Sequence, residues 1–345
     1  MLFLFACFSF TEAMGQATIL IRHADRDTAY IKEFYRKHLV VRAYESTKFN
    51  NFKFIDGSKK LIYKPNDHNI FGLGLNYRFI SLNIGLYVPA AGKNISIYGR
   101  TKDLDLQTHI YVHKFIVDLY AQFYHGYYLS NTTSSLSSYP VDRIEKRPDI
   151  STKDLSIVVQ YLFNDKKFSY NAPFYQNELQ KKSAGSFIVG GGLYHTNISG
   201  DSTLTPRNIS YSNFFNSFIF NKAINNSIGF NGGYAYTVVI RKLFFITAMV
   251  SGGAGVNFAT LSDVGPDQKN EKTGLGLNLT AKFAAGYNSD KYFAGINYIR
   301  LITEDNSTEP DTWQEVNIGN FRITIAKRFH LRKAVIPKSD LIEIE

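Results

Sequence analysis

Cysteine is almost missing from this sequence: Cys7 is the only one in 345 residues. It lies in an apolar stretch, Leu2 to Phe10, followed by Ala13-Met14-Gly15 and Gln16. Small residues at Ala13 and Gly15 suit the −3 and −1 positions of a secretory cleavage site, so residues 1–15 read as a leader, although a basic start is lacking. Leu4-Phe5-Ala6-Cys7 faintly imitates a lipoprotein box, but the apolar run before it is too short. Without residues 1–15 the chain has no thiol, which excludes a disulfide framework and a thiolate metal site. Also missing is any run approaching the roughly 20 apolar residues of a membrane helix. The strongest apolar run, Leu243 to Val250, has the length of a strand. Tryptophan is down to one residue, yet Tyr (23) and Phe (28) bring the aromatics to 15%. Such enrichment suits a lipid–water boundary, so membrane insertion would have to be as a barrel.

What the sequence does contain is period-two alternation. Ile228, Phe230, Tyr234, Tyr236, Val238 and Ile240 share one face, with Gly229, Asn231, Gly233, Ala235 and Thr237 on the other. Leu155 to Phe163 and Phe115 to Tyr124 repeat the pattern. A soluble sandwich hides its apolar face and shows water long polar side chains. Here the second face is small and polar, as in a narrow barrel interior. Tight turns near residues 78–80, 113–114, 241–242 and 289–291 alternate with long polar connections near 56–67, 89–103, 129–151, 196–225, 260–273 and 303–315. Outer-membrane barrels have short periplasmic turns and longer outer loops. The reading is therefore all-β: an antiparallel outer-membrane barrel of about twelve strands over residues 47–329. A short N-terminal helical arm is expected over 16–46 and a tail over 330–345.

Residues 164–187 interrupt the scheme, because they join two strands on the short-turn side with a long aromatic segment. Two expectations stand: a twisted hairpin extending the strands, or a cap beneath the lumen. Gly72-Leu-Gly-Leu-Asn76 and Gly274-Leu-Gly-Leu-Asn278 echo one another and predict similar strand packing.

Five blocks occur in succession: Asp27 to Ile31, Leu61 to Asn66, Gly72 to Tyr77, Gln180 to Phe187 and Asp201 to Pro206. QKKSAGSF followed by DSTLTP is the more specific part. Together they resemble an uncharacterised Bacteroidetes outer-membrane β-barrel family, a domain of unknown function of the DUF4421 kind. The resemblance implies barrel fold and outer-membrane location, and it brings no reaction or ligand.

Candidate chemistry is sparse. Arg22-His23 imitates the start of histidine phosphatases, but antiparallel patterns follow where that chemistry needs a parallel strand and helices. His195 and Ser199, near a strand end, suggest a lipid esterase or deacylase with His195 as base and Ser199 as nucleophile. Their spacing of four exceeds the two found in such enzymes. Asn76, Arg78, Gln107, His109, Asp118, Gln122, Lys282, Asn297, Arg322 and Arg328 are predicted to face the lumen. Their mixed charge fits either a plug of ion pairs or a pore lining. No His/Asp/Glu set has metal-ligand spacing, and no cofactor is implied. Glycine runs at 190–192 and 252–255 fall inside strands and are not phosphate loops. The expected partners are outer-membrane lipid, lipopolysaccharide and the barrel-assembly machinery, and not nucleic acid. The leading expectation is a non-enzymatic structural, binding or narrow-channel envelope component. The lipid esterase and a soluble periplasmic β-sandwich are the alternatives.

Overall fold

Alternation of apolar and polar residues begins earlier than expected, at His38 and not near residue 47. The computed structural model describes residues 13–20, 26–34, 38–66, 69–77, 80–87, 95–112, 114–130, 144–205, 214–263 and 269–331. In chain order the strands are β1 (Ala13–Leu20), β2 (Ile31–Glu33), β3 (His38–Asp56), β4 (Lys59–Lys64), β5 (Asn69–Tyr77) and β6 (Ile80–Tyr87). Helix α1 (Ile95–Tyr98) precedes β7 (Lys102–Val112), β8 (Phe115–Leu129) and β9 (Lys146–Leu162). Then come α2 (Asn171–Tyr175), β10 (Glu178–Gln180), β11 (Ala184–Ser199), β12 (Lys222–Ile240), β13 (Phe244–Ser262), β14 (Lys269–Asn288), β15 (Tyr292–Asn306) and β16 (Thr312–His330).

The wall closes as a ring of ten strands: β3, β4, β8, β9, β11, β12, β13, β14, β15 and β16, with β16 antiparallel to β3 from Thr312↔Asp56 to His330↔His38. This corrects the expected count of twelve. Two local features explain the difference. Asp56-Gly57-Ser58-Lys59 turns tightly where a long connection was expected, with Gly57 at φ +55°. The returning chain then breaks at Pro65, so β4 pairs with the top of β3 while β5 pairs with its lower half. Because β6 and β7 are short, β4 reaches β8 above them, at Tyr63↔Leu129 and Lys64↔Tyr128. Strands β5, β6 and β7 thus form a side panel beneath β4, and β1 lies in it between β6 and β7.

Among the described residues no helix precedes the barrel. Residues 13–20 and 31–33 are short strands, and His38 already begins β3. Val40, Arg42, Tyr44 and Ser46 are buried on the lumen side, whereas Leu39, Val41, Ala43 and Glu45 lie on the other face. Charged residues on the inner face disguise this alternation. Of the expected leader, residues 1–12 lie outside the described residues, as do 332–345 of the tail.

The outer face carries a continuous apolar belt. On β8 it covers Phe115 to Phe123, and on β12 it covers Ile228 to Ile240. On β16 it covers Phe321 to Phe329, and on the panel it continues through Leu73, Leu75, Leu82, Ile84 and Leu86. Along hydrogen-bonded rows the belt steps progressively toward the short-turn end, as it must when strands tilt against the barrel axis. Phe230 is 81% exposed and Phe187 68%.

Two glycines are demanded by geometry. At Gly126, φ is +92° in a bulge of β8, and a Cβ there would stand 2.2 Å from the Arg100 carbonyl oxygen. Gly72 pairs with Gly85 across β5 and β6, and the Tyr44 ring lies against both inside the lumen; a Cβ on Gly72 would stand 2.2 Å from Tyr44 Cζ. Gly274 and Gly276 likewise make room for Asn306 and Asp305. The repeated Gly-Leu-Gly-Leu-Asn block is therefore one packing device used twice.

Candidate functional site: a lumen sealed at both ends

The interior is built in three tiers. At the short-turn end, residues 164–182 fold back into the lumen as a plug. Helix α2 and the segment around it are buried, including Phe168, Tyr170, Phe174 and Tyr175. Strand β10 pairs antiparallel with β2, so the N-terminal segment forms part of the same plug. Glu178 is its anchor. Its carboxylate accepts from Arg26 Nη2 (3.4 Å), from Asn171 Nδ2 (3.2 Å) and from Ser169 Oγ. Arg328 of β16 donates to the Gln176 carbonyl oxygen at 2.6 and 2.8 Å, and Arg42 Nη1 donates to Gln176 Oε1 at 3.1 Å. Asn76 donates to the Tyr175 carbonyl. Of the two expectations for this stretch, the cap is what the structure contains.

The middle tier is polar. Lys282 Nζ on β14 lies 2.6 Å from Asp118 Oδ2 on β8, and both side chains are almost fully buried. These strands are not neighbours in the sheet, so the pair is a strut across the lumen. The Lys282 ammonium also sits 5.1 Å from the Tyr170 ring centroid, which ties the strut to the plug. Asp105 gathers Lys48 (3.2 Å), Gln122 Nε2 (2.6 Å) and Tyr124 Oη (3.1 Å). Asn50 Nδ2 donates to Asp154 Oδ2 at 2.7 Å. Buried charges on this scale persist only when paired and hydrogen-bonded.

The third tier, at the long-loop end, is aromatic. Phe52 and Phe54 of β3, Tyr63 of β4 and Tyr127 of β8 point inward and meet Leu204, Phe215 and Phe220 from the connection between β11 and β12. Phe52 stacks on Tyr63 with centroids 4.9 Å apart, and Tyr63 Oη donates to the Leu204 carbonyl oxygen at 2.5 Å. Phe215 N–H donates to Asp56 Oδ2 at 2.8 Å, pinning the loop over the lumen.

Of the residues predicted to face the lumen, Asn76, Gln107, Asp118, Gln122, Lys282, Asn297, Arg322 and Arg328 lie on the inner face. Arg322 covers the Tyr44 ring at 4.6 Å. Arg78 and the His109 side chain lie outside the described residues. Sequence reasoning missed Arg42, Lys48, Asn50, Asp105 and Asp154. For the first, the assumed arm hid the strand; for the others, the alternation was available and was not followed to its charged members.

His195 faces outward, as its register with Leu193 predicts, and its Nδ1 is 2.7 Å from Asn226 Oδ1. Ser199 lies four residues along the same face, about 13 Å away at the rise of an extended strand. The structure does not bring these two together. It does bring His125 Nδ1 within 2.7 Å of Ser151 Oγ, as a cross-strand pair on the outer face just beyond Phe123. Among the described residues no cluster of His, Cys, Asp or Glu is arranged to hold a metal ion.

Residues 25–329 match the model of the family described as Domain of unknown function (DUF4421). The chain belongs to this family. The family match covers every strand of the barrel wall and both plug segments, and it leaves out β1. No curated protein matches the chain. Among solved structures, the Escherichia coli outer membrane protease OmpT is similar at 8% identity and TM-score 0.35, covering 86% of this chain and 98% of its own. The translocator domain of the autotransporter NalP from Neisseria meningitidis gives 9% identity and TM-score 0.32, with 84% of this chain and 88% of its own covered. The Pseudomonas putida toluene transporter TodX gives 9% and 0.20, with 85% and 90% covered.

Proposed function

We propose that this DUF4421 protein is an integral outer-membrane β-barrel with a closed lumen, and that it serves as a non-enzymatic structural or binding component of the envelope. The supporting observation is the broad apolar belt on the outer face of a wall whose interior is polar and stoppered at both ends. Each large side chain left in water would forfeit about 1.5–3 kcal/mol of burial, and a belt of this extent far exceeds the apolar patches soluble proteins tolerate. A soluble sandwich would place those side chains inside. In this orientation the turns at 241–242 and 289–291, with the plug, face the periplasm, and the rim of Lys153, Lys222 and Lys269 faces lipopolysaccharide.

The expected result on fractionation is a heat-modifiable band in outer membranes that resists salt and alkaline washes. In planar bilayers the folded protein should show no steady conductance. Release by mild salt would overturn the membrane assignment, and reproducible channels from the intact protein would overturn the closed lumen.

The His125–Ser151 contact supports a second reading, an esterase acting on lipid at the outer rim. There His125 is the base and Ser151 the nucleophile, in place of His195 and Ser199. Detergent-dispersed acyl esters test it. Hydrolysis abolished by both His125→Ala and Ser151→Ala would establish this reading, and equal rates in wild type and variants would remove it.

A further inference from the structure

The side panel contains a seam that the rest of the wall lacks. Strand β1 pairs antiparallel with β6 over Ala13↔Leu86 to Ile19↔Ile80, but it meets β7 at only two residues, Ile19↔Ile110 and Leu20↔Tyr111, and in parallel. It is the only parallel ladder among the described strands. On its other edge β7 is paired with β8 throughout, from Lys102↔His125 to Val112↔Phe115. Most of one edge of β7 therefore has no ladder to another described strand, beside the exposed Leu104 and Leu106 of the apolar belt. Unpaired backbone groups in hydrocarbon cost several kcal/mol each, so this arrangement is under strong pressure to close.

The register shows how. Ile80 of β6 and Ile110 of β7 share a row, because both are partners of Ile19. If β6 and β7 met directly and antiparallel on that row, Leu82 would oppose Thr108, Ile84 would oppose Leu106 and Leu86 would oppose Leu104. Asn83 would oppose Gln107. Every one of these pairs matches in facing. Leu82, Ile84, Leu86, Leu104 and Leu106 are exposed on the belt, whereas Asn83 and Gln107 are buried toward the lumen. A register displaced by one residue would set belt residues against lumen residues. The facing within each strand is fixed by its pairing with β5 or β8, and the row that aligns the two strands is read through Ile19 of β1.

We propose that β6 and β7 pair directly in this register, and that β1 occupies a slot which closes when residues 13–20 leave it. One further observation and one expectation fit. The family match begins at residue 25, after β1. The cleavage position expected after Gly15 also divides β1, leaving only part of it to hold the slot. The panel would then be continuous from β5 to β8, with the ten-strand ring above it unchanged.

The near absence of cysteine makes a direct test clean. In a Cys7→Ser background, two pairs are introduced into the full chain, Ile84→Cys with Leu106→Cys and Asn83→Cys with Gln107→Cys. Opposed residues in antiparallel strands alternate between close and wide pairs, so one of the two has Cα atoms near 4.5 Å whichever phase the ladder adopts. Ile84→Cys with Leu104→Cys is the off-register control, and Ala17→Cys with Leu82→Cys, on the part of β1 that remains after the expected cleavage, reports an occupied slot. Crosslinking by mild oxidation is read on non-reducing gels of protein shown to be membrane-inserted and heat-modifiable. The expected result is near-complete bonding of at least one in-register pair, with little in the control. Neither pair bonding in folded protein, equal bonding off register, or bonding of the slot reporter in inserted protein would overturn the proposal. N-terminal mass analysis of the same samples shows separately whether residues 1–15 were removed.

Discussion

Replacing Asp118 with alanine is expected to cost about 3–5 kcal/mol, the range for removing one partner of a buried ion pair. The reason is what remains: the Lys282 ammonium, with its side chain 0% exposed, would face the Tyr170 ring and no carboxylate at its present 2.6 Å contact. Lys282→Ala should be comparably damaging, since it leaves the Asp118 carboxylate buried among β-strand side chains. The double variant Asp118→Leu with Lys282→Met should recover most of the loss, because an apolar pair of similar volume carries no desolvation penalty. The midpoint of heat-induced mobility change in detergent reads all three. Double and single variants with equal loss would show that the strut acts through packing and not through charge.

Deleting residues 168–179 is expected to leave the barrel folded and to expose the lower lumen from one side only. The plug removes itself from contact with Ala235 and Ala284, which are buried in the same cluster as Phe168, Tyr170 and Phe174. Cysteines placed at these two positions, in the Cys7→Ser background, should pass from unreactive to fully reactive toward a membrane-impermeant thiol reagent. Conductance should nevertheless stay absent, because the aromatic tier of Phe52, Phe54, Tyr63, Phe215 and Phe220 closes the other end in series. Current through the single deletion would mean that the upper tier is not a seal. Unchanged thiol reactivity would mean that the interior stays inaccessible without the plug.

Much of this fold was legible as period-two patterning, because burial against lipid and against a polar lumen leaves opposite marks on alternate residues. The belt on β8, β9 and β12 could be read directly from the sequence. The strand over residues 38–46 could not, since Val40 and Tyr44 face inward beside Arg42 and Ser46 while Glu45 faces outward, which blurs the contrast between faces. The ring count was missed through Pro65, which splits one descending strand into β4 and β5 and lets β4 reach β8. The tight turn at Asp56-Gly57 carried a recognisable hairpin signal that the surrounding polar residues obscured. The inner polar set was partly visible, residue by residue. Its pairing was not, because Asp118 and Lys282 are 164 positions apart and meet only across a lumen whose width no local pattern encodes.

The anchoring of the plug by Arg328 has a consequence for how the molecule is made. Arg328 belongs to β16, the final strand, and β16 closes the wall against β3, near the other end of the chain. Closure therefore waits for synthesis of the whole barrel, whereas the Gln176 carbonyl it grips belongs to a segment made much earlier. The last step of assembly thus brings the guanidinium to the Gln176 carbonyl of the plug as well as to Asn288 Oδ1 and the Ser289 carbonyl of the wall. A barrel that zips shut around an empty lumen leaves that cation with its wall partners alone, so closing the wall also favours a seated plug.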